Sequence, residues 1–495
     1  MKKIVLRIVV VFLLAATLGG IVYGPELLKT VRLGAAFAAK EVCSGVFISG
    51  RSLESIHASD MSAAPIPIWM IDVDQSDRSV TVSIGPISRT AIYRENCGCT
   101  VAQDITVDQL RAQPIGAPFE RPVESDVAEW PQGNAQELTE PAEPIDVVAL
   151  QAALDFAFDD RSTNSPWGTR AVVVVYDGKL VAERYADGYH RDMPLTSWSM
   201  TKTITATLVG ILSGDGKLDI NAVANVPEWA DEGDERAAIT LDQLLRMSSG
   251  LKFQEEYGSA PSDVVRMLYE QPDAAAFAAS MPLAAEPDTK WSYSSGTTNI
   301  ISRIVRNAIG GDQETYYRFV RERLFDPLGM TRATIEADVS GTLVGSSFMF
   351  CTARDWARYG QFLMQDGVWN GQRILPDGWV EYMSTPTPTA PQGQYGAQTW
   401  LNAGSPNDPT DRRLPDCPTD LIFLSGFNGQ RVFVIPSRQT VIVRMGLTPD
   451  TSGYPWNDLV SQVLAALPDG TADTVRTAAG EQQSLHAAGA ETSEP

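Results

Sequence analysis

Short runs of β-branched residues lie on either side of a long stretch whose apolar residues recur with helical spacing. AVVVVY (171–176) and KLVAERY (179–185) predict two strands, and the Asp177-Gly178 between them is a strong hairpin signal. Three more strands are predicted by LIFLS (421–425), QRVFVIP (430–436) and TVIVRMG (440–446). Their short connections are typical of antiparallel strands.

Helical periodicity dominates between these two groups of strands. The predicted helices are TITATLVGILS, LDQLLRM, SDVVRMLYE, NIISRIVRNAI, TYYRFVRERLF and ARDWARYGQFLM, all within 199–385. One helix, VVALQAALDFAF, precedes the first strands, and another, LVSQVLAAL, follows the last. This order predicts an α/β (α+β) domain over 145–467. It has an antiparallel sheet built from both chain ends, terminal helices on one face and a helical subdomain on the other.

The rest of the chain divides into shorter segments. Residues 40–140 predict a small β-rich extension and a linker, with strands in PIWMIDV, SVTVSIG and RTAIYR. Residues 111–145 are rich in Pro, Glu and Gln and are interpreted as a linker or a wrapping segment. The Ala/Gly/Thr/Glu-rich stretch 468–495 is predicted to be a disordered tail.

Residues 1–24 predict a signal-anchor or transmembrane segment. Met1-Lys2-Lys3 and Arg7 precede an uncharged stretch from Ile8 to Gly24. At about 1.5 Å per residue this stretch spans roughly 25 Å, close to a hydrocarbon core of about 30 Å. We expect an uncleaved inner-membrane anchor, with the rest of the chain in the periplasm. The alternative is a cleaved signal peptide and a periplasmic or secreted protein.

Composition and charge exclude some classes of function for this protein. The 495 residues are 44% hydrophobic, which indicates a globular protein, and they carry a formal net charge of −22. Such a charge repels phosphate backbones, so nucleic acid is not expected as a partner. The three histidines, at 57, 190 and 486, are too scattered for a His-based metal site. No metal or other cofactor is expected.

Cysteine usage is consistent with export. Cys97 and Cys99 flank a single glycine and lie too close together to bond comfortably, so we expect one of them to bridge to Cys43. A metal or redox site at CGC is the alternative, but no second Cys/His pair has ligand spacing. Cys351 and Cys417 could pair with each other or remain free thiols.

Two S-x-x-K sequences differ in their structural context. Ser199 and Lys202 open a predicted helix, where residues three apart share a face, so the amine can lie beside the hydroxyl. Lys202 is also within a helix that is otherwise nearly free of charge, and a buried lysine has the lowered pKa of a general base. Ser249 and Lys252 flank Gly250, where a helix is expected to end, so this geometry is lost.

A tyrosine motif and a glycine motif follow. Tyr293 lies on a turn before a long helix with Ser295 two residues on, and it could relay protons, although a packed surface tyrosine is the more ordinary interpretation. Gly426-Phe427-Asn428-Gly429-Gln430 leads into a strand. Backbone N–H groups there could form an oxyanion hole, although a hairpin turn alone would explain the glycines.

The order of the three motifs resembles the serine β-lactamase and penicillin-binding-protein-like superfamily. Within it, the match is closest to the class C-like esterase and amidase branch that includes 6-aminohexanoate-dimer hydrolase. The family order is S-x-x-K, then Y-x-N or Y-x-S, then a K-T-G-like strand; here Tyr293 follows Ser199 by 94 residues. The resemblance covers about 145–467 and includes blocks such as ITLDQLLRMSSGL, RLFDPLGM and VFVIP. It implies a β-lactamase/DD-peptidase-like fold.

The resemblance also implies roles for single residues. Ser199 would be the acylating nucleophile, Lys202 its general base, and Tyr293 the group that passes a proton to the leaving group. Ser295 stands where β-lactamases usually have asparagine. Tyr257 is positioned like the lid tyrosine that contacts the amide substrate in the aminohexanoate-oligomer enzymes.

The third motif departs from the family pattern. Phe427-Asn428-Gly429 replaces K-T-G, so the cationic side chain that commonly meets a substrate carboxylate is absent there. The backbone N–H groups of Ser199 and Gln430 would hold the oxyanion, and Asn428 and Gly429 would border the substrate. The departure favours neutral short-chain esters over substrates with a carboxylate. Arg431 could compensate, but sequence does not fix its direction.

These observations predict an exported serine hydrolase that cleaves a small-molecule ester or amide through a Ser acyl-enzyme. The alternative is a catalytically inactive member of the fold that serves as a binding module for the cell wall or a protein partner. An α/β-hydrolase triad is excluded, because the chain has no G-x-S-x-G and its only late histidine, His486, lies in the predicted tail.

Overall fold

The computed structural model describes residues 26–61, 66–135, 138, 144–160, 167–257, 261–449 and 451–469. Its helices are α1 (26–47), α2 (Leu53–Ser59), α3 (Val107–Arg111), α4 (Val147–Ala157), α5 (Thr201–Gly214), α6 (Leu241–Leu245), α7 (Asp263–Tyr269), α8 (Ala274–Ala279), α9 (Ser295–Ile309), α10 (Gln313–Val320), α11 (Ala353–Met364), α12 (Trp379–Ser384) and α13 (Trp456–Ala465).

Its strands are β1 (Ile71–Asp74), β2 (Ser79–Ile84), β3 (Ile87–Arg94), β4 (Gly98–Val101), β5 (Thr169–Tyr176), β6 (Lys179–Tyr185), β7 (Leu195–Thr196), β8 (Thr334–Ile335), β9 (Met349–Cys351), β10 (Val368–Trp369), β11 (Gln372–Arg373), β12 (Trp400–Leu401), β13 (Ile422–Gly426), β14 (Gln430–Ile435) and β15 (Thr440–Gly446).

The main sheet joins strands from both ends of the hydrolase-like region. Its order is β12-β13-β14-β15-β5-β6, and every neighbouring pair is antiparallel. The predicted hairpin is present, because β5 and β6 are joined at Asp177-Gly178, where both residues have the positive φ that such a turn needs. The prediction of a sheet assembled from distant segments is confirmed.

Helices cover both faces of this sheet. Alternate residues along β15 face opposite sides: Ile442 packs with residues of α4 and α13, whereas Val441 and Val443 pack into a larger core that includes α5 and α11. The fold is thus a three-layered α/β arrangement, with the helical subdomain beyond α5. The helix α5 is buried from Thr201 to Leu212, which places its N-terminal end in the interior.

The N-terminal extension shares the main core. Strands β1–β4 form a separate antiparallel sheet, as the sequence predicts. Helix α1 was not predicted, because its alanine-rich sequence has no clear amphipathic period, yet Leu33 and Val42 are buried in the same cluster as Val173 of β5. Cys43 in α1 is bonded to Cys99 in β4, whereas Cys97, Cys351 and Cys417 are free and buried.

Part of the predicted wrapping segment packs onto the main domain. The buried Arg358 of α11 donates hydrogen bonds to the carbonyl oxygens of Pro131 and Gly133. The predicted anchor, 1–24, and nearly all of the predicted tail lie outside the described residues. Within the described residues, no helix is both long and apolar enough to cross a membrane.

Candidate active site

The candidate nucleophile lies where a short 3₁₀ turn meets a buried helix. Ser199 is the middle residue of the turn Trp198–Met200, which runs directly into α5. Trp198 has a φ of +48°, in the left-handed region that bulky residues rarely occupy. Strained backbone of this kind concentrates at functional sites, where the surrounding packing holds it.

Lys202 lies one turn further along α5, on the same face as Ser199. Its Nζ is 3.0 Å from Ser199 Oγ, 2.9 Å from Ser295 Oγ and 3.0 Å from the carbonyl oxygen of Ser346. The structure therefore brings together three residues that the sequence singled out. It adds Ser346, whose backbone carbonyl has no signature in sequence.

The Lys202 amine is held in surroundings that favour its neutral form. Its side chain is only 1% exposed. Burial lowers the pKa of the Lys202 amine to about 8, and the nearby Glu255 carboxylate opposes that shift. A lysine with this pKa is partly unprotonated near neutral pH, which is what a general base requires.

Glu255 is a site residue that the sequence analysis missed. Its Oε2 accepts a hydrogen bond from the backbone N–H of Ser295 at 2.7 Å, and its Oε1 accepts one from the Ser295 hydroxyl. Because Ser295 is the first residue of α9, the carboxylate also lies at the positive end of a helix. The only available signal was the acidic pair Glu255-Glu256 just before Tyr257.

Tyr293 lies against the same amine. The Lys202 Nζ is 4.8 Å from the centroid of the Tyr293 ring. Burial raises the pKa of the Tyr293 hydroxyl well above its usual value; Tyr395 and Glu255 add to the shift, and hydrogen bonding with Ser199 opposes it. Tyr293 is therefore a protonated phenol at neutral pH, able to donate a hydrogen bond.

Tyr257 lies in the same site, packed against two aromatic rings. Its ring stacks on Phe427 at a centroid distance of 4.5 Å and meets Trp198 edge-on at 5.9 Å. Burial raises the pKa of the Tyr257 hydroxyl, and the charge of Glu255 raises it further, while nearby serine hydroxyls oppose the shift. Among the described residues, none of these serines has the geometry of a hydrogen bond with the Tyr257 hydroxyl. A buried hydroxyl without a partner is costly, so a substrate could satisfy it.

The side chains of Ser199, Glu255, Tyr257 and Tyr293 line a cavity of about 270 Å³. Further lining residues are Trp400, Ser425, Gly426, Phe427, Asn428 and Arg431. The size is near the lower end of cavities that hold small organic ligands. The cavity therefore brings residues from all three sequence motifs together.

Only part of the glycine motif lines the cavity. Gly429 and Gln430 do not line the cavity. The Gln430 side chain is buried and bonded to the backbone of Gly446, donating to its carbonyl oxygen and accepting from its N–H. The motif instead presents Phe427 and Asn428 to the cavity. These contacts concern the Gln430 side chain, and the role of its backbone N–H at the oxyanion stays a prediction.

The described residues contain no group of three or more His, Cys, Asp and Glu side chains placed to hold a metal ion. His57, which the structure describes, contacts the carbonyl oxygen of Ile66 through its ring nitrogen. Among the described residues, the polar side chains at the cavity carry hydroxyls, one amine, one carboxylate, one carboxamide, one indole and one guanidinium.

The model of the Beta-lactamase family matches residues 168–465, more than half of the chain. This chain belongs to the Beta-lactamase family. A 6-aminohexanoate-dimer hydrolase from Paenarthrobacter ureafaciens is 26% identical to this family member over 347 residues, which are 66% of this chain and 83% of that protein. The resemblance stated from the motifs is confirmed.

Solved structures show the same fold. A penicillin-binding protein homologue from Caulobacter crescentus matches with a TM-score of 0.51 and 18% identity, over 67% of this chain and 100% of that chain. A family VIII carboxylesterase matches with a TM-score of 0.50 and 18% identity, over 67% and 99%. The predicted β-lactamase/DD-peptidase-like fold of this β-lactamase family member is confirmed.

Proposed function

We propose that this β-lactamase-family protein is a serine hydrolase that cleaves an ester or amide through an acyl-enzyme on Ser199. The observation that carries the proposal is the set of three contacts around Lys202 Nζ. A neutral amine has two N–H bonds and one lone pair. If the N–H bonds are directed to Ser295 Oγ and the Ser346 carbonyl, the lone pair is left for the Ser199 hydroxyl.

Glu255 supports this assignment of hydrogen bonds. The Ser295 hydroxyl donates its single proton to Glu255, so its oxygen can only accept from Lys202. The direction of the Lys202–Ser295 hydrogen bond is thereby determined. Lys202 then takes the Ser199 proton as the Ser199 oxygen attacks the substrate carbonyl.

Tyr293 is the proposed proton donor to the leaving group. Its raised pKa keeps the phenol protonated, and Lys202 lies over its ring. We propose that Tyr293 gives its own proton to the departing alkoxide or amine and regains it from Lys202, which took the Ser199 proton; a water molecule activated in the reverse direction would release the acyl group. Tyr257 is proposed to contact the substrate through its hydroxyl, which has no hydrogen-bond partner among the residues that the structure describes.

The proposed oxyanion donors are the backbone N–H groups of Ser199 and Phe427. Both residues lie in the first turn of a short 3₁₀ segment, where N–H groups have no acceptor within the segment. Phe427 is added because it lines the cavity, and the Gln430 N–H that the sequence analysis named stays a candidate donor next to it. Two such donors aimed at one point stabilise a developing negative charge.

We further propose that the protein is exported and membrane-anchored with its hydrolase domain in the periplasm. The support is the basic and then uncharged sequence of residues 1–24, together with the Cys43–Cys99 bond, a type of cross-link that persists in oxidising compartments. Protease treatment of intact spheroplasts checks this: degradation of the hydrolase domain is expected, and protection of the domain contradicts the proposal.

Labelling with a fluorophosphonate probe tests the nucleophile. Wild-type protein and Ser249→Ala should be labelled, because Ser249 belongs to the S-x-x-K outside the cavity. Ser199→Ala should not be labelled although it folds normally. Labelling that survives in Ser199→Ala, or its absence from the wild type, contradicts the proposed function and favours a catalytically inactive binding module.

A further inference from the structure

The third partner of the Lys202 amine is a main-chain carbonyl on a buried turn. Residues 343–347 lead into β9, and Ser346, whose carbonyl oxygen is 3.0 Å from Lys202 Nζ, is completely buried. The turn is closed by a hydrogen bond from the N–H of Ser347, which belongs to the same peptide group, to the carbonyl oxygen of Val344 at 3.1 Å. The position of the Ser346 carbonyl therefore depends on how the whole turn is held.

Side chains from two helices hold this turn. Thr205 of α5 and Ser302 of α9 donate hydrogen bonds to main-chain carbonyl oxygens of the turn, at 2.9 Å and 2.7 Å. Asn299 of α9 contacts the residue that serves the lysine, because its Oδ1 accepts the N–H of Ser346 at 3.2 Å. Among the residues that the structure describes, this N–H has no other acceptor.

The amide group of Asn299 has a defined orientation. Its Nδ2 donates to the sulfur of Met267 at 3.4 Å, and its Oδ1 faces the N–H of Ser346. The reverse orientation would set an NH2 group against an N–H group, so only the amide oxygen can serve Ser346. Asn299 is 1% exposed. Loss of its oxygen would leave a buried N–H without a partner, which is costly, so the turn would shift.

Helix α9 determines both acceptors of the Lys202 N–H bonds. Ser295 accepts one of them directly. Asn299 lies four residues later, on the same face of the helix, and holds the turn that supplies the other acceptor. A neutral amine has two N–H bonds and one lone pair. The direction of the lone pair toward Ser199 therefore depends on where both acceptors lie.

We propose that Asn299 is a positioning residue of the Ser199 site. It holds the Ser346 carbonyl against one N–H of Lys202, so that the lone pair of the amine is directed to the nucleophile. Asn299 does not line the cavity, and its effect on the reaction passes through Lys202. This inference rests on the proposed function, because it concerns the base of that site.

The rate of ester hydrolysis by an Asn299 variant tests this role. The substrate is a 4-nitrophenyl ester, because 4-nitrophenolate leaves without taking a proton and the rate then reports on Ser199 and its base. Asn299→Leu keeps a branched side chain and removes the acceptor. We expect kcat/KM on the high-pH plateau to fall about tenfold, part of the hundredfold or more that a general base supplies. KM should hardly change.

The same variant should move the rise of kcat/KM with pH. A hydrogen bond from the amine to a carbonyl favours the protonated amine, so loss of the Ser346 contact lowers the pKa of Lys202. The rise, expected near pH 8 in the wild type, should lie at lower pH in Asn299→Leu. Asn299→Asp keeps an oxygen that can accept the Ser346 N–H and should retain most of the plateau activity.

Asn402→Leu is the matched control. Asn402 is also 1% exposed, and its Oδ1 accepts the main-chain N–H of Leu414 at 3.0 Å. The two leucine variants should lose similar stability in urea, but the rise of kcat/KM should stay at the wild-type pH in Asn402→Leu. A merely structural role for Asn299 would give both variants the same pH profile.

The outcomes separate the two proposals. A wild-type plateau and pH profile in Asn299→Leu, an equal loss in Asn299→Asp, or the same pH shift in Asn402→Leu contradicts the positioning role and leaves the serine hydrolase intact. Ester hydrolysis that is absent from the wild type, or that persists in Ser199→Ala, contradicts the proposed function and this inference with it. If Asn299→Leu does not fold, Asn299→Ala, which adds no atoms, is measured in its place with the same expectations.

Discussion

At the scale of single residues, the site is organised around one buried amine. Lys202 receives opposite influences: burial favours the neutral form, and Glu255 favours the charged form. The Glu255 carboxylate makes no direct ion pair with the amine, because the hydroxyl of Ser295 lies between them and hydrogen-bonds with both. In this arrangement the pKa of Lys202 is about 8, and no carboxylate contacts the amine directly.

Replacement of Lys202 by arginine tests the base. Lys202→Arg keeps the positive charge, but a guanidinium does not lose its proton near neutral pH. We expect kcat/KM for an ester substrate to fall by at least about a hundredfold, the low end of a general-base contribution. Near-normal turnover by Lys202→Arg would show that the lysine is structural.

The pH dependence of turnover follows from the same pKa. Because the base acts in its neutral form, kcat/KM should rise as the pH is raised through about 8. The Glu255 charge raises the pKa of Lys202, so Glu255→Gln should lower it and move this rise to a lower pH. Glu381→Gln, which changes an exposed carboxylate on α12, serves as the control. An unchanged pH profile in Glu255→Gln would refute the coupling.

At the scale of elements, the site depends on the contact between the end of β13 and the turn that holds Ser199. A side chain at Gly426 would clash with the carbonyl oxygen of Ser197, two residues before the nucleophile. The same residue pairs with Gln430 across the hairpin. The glycine is therefore required by the close approach of two backbones, and its φ of −114° is available to any residue.

The sequence predicts those features that depend on local pattern. The Asp177-Gly178 hairpin and the i,i+3 pair Ser199–Lys202 need only neighbouring residues, and both are found. Glu255 could not be identified, because its contact with Ser295 spans 40 residues. The side-chain contact of Gln430 with Gly446 could not be identified either, because it joins neighbouring strands 16 residues apart in sequence.

Gly426→Ala tests the close approach. The new methyl group must push β13 away from Ser197, and a displacement of about 1 Å in an active site can cost a hundredfold in rate. We expect kcat/KM to fall by about that factor while the fold is retained. Gly34→Ala, at a helix position with open space around it, is the matched control and should keep full activity. Unimpaired catalysis in Gly426→Ala would mean that the hairpin end does not position the site.

At the scale of the whole molecule, the N-terminal extension is tied to the hydrolase domain by buried polar contacts as well as by the shared core. Lys40 of α1 forms an ion pair with Glu336, and both side chains are almost completely buried. Glu336 also accepts hydrogen bonds from the Ser44 hydroxyl and the backbone N–H of Cys99. A single carboxylate from the main domain therefore holds the two segments that the Cys43–Cys99 bond joins.

Removal of the disulfide tests how far this extension stabilises the protein. The bond closes a loop between residues 56 apart in sequence. A cross-link over such a loop contributes about 2–4 kcal/mol, largely by restricting the unfolded chain. Cys43→Ala should lower the free energy of unfolding in urea by about that amount, whereas Cys417→Ala, at a free thiol of the main domain, should have a smaller effect. With a reductant present, the wild type should unfold at the same urea concentration as Cys43→Ala. A difference that persists under reducing conditions would show that the cysteine contributes through packing and not through the covalent bond.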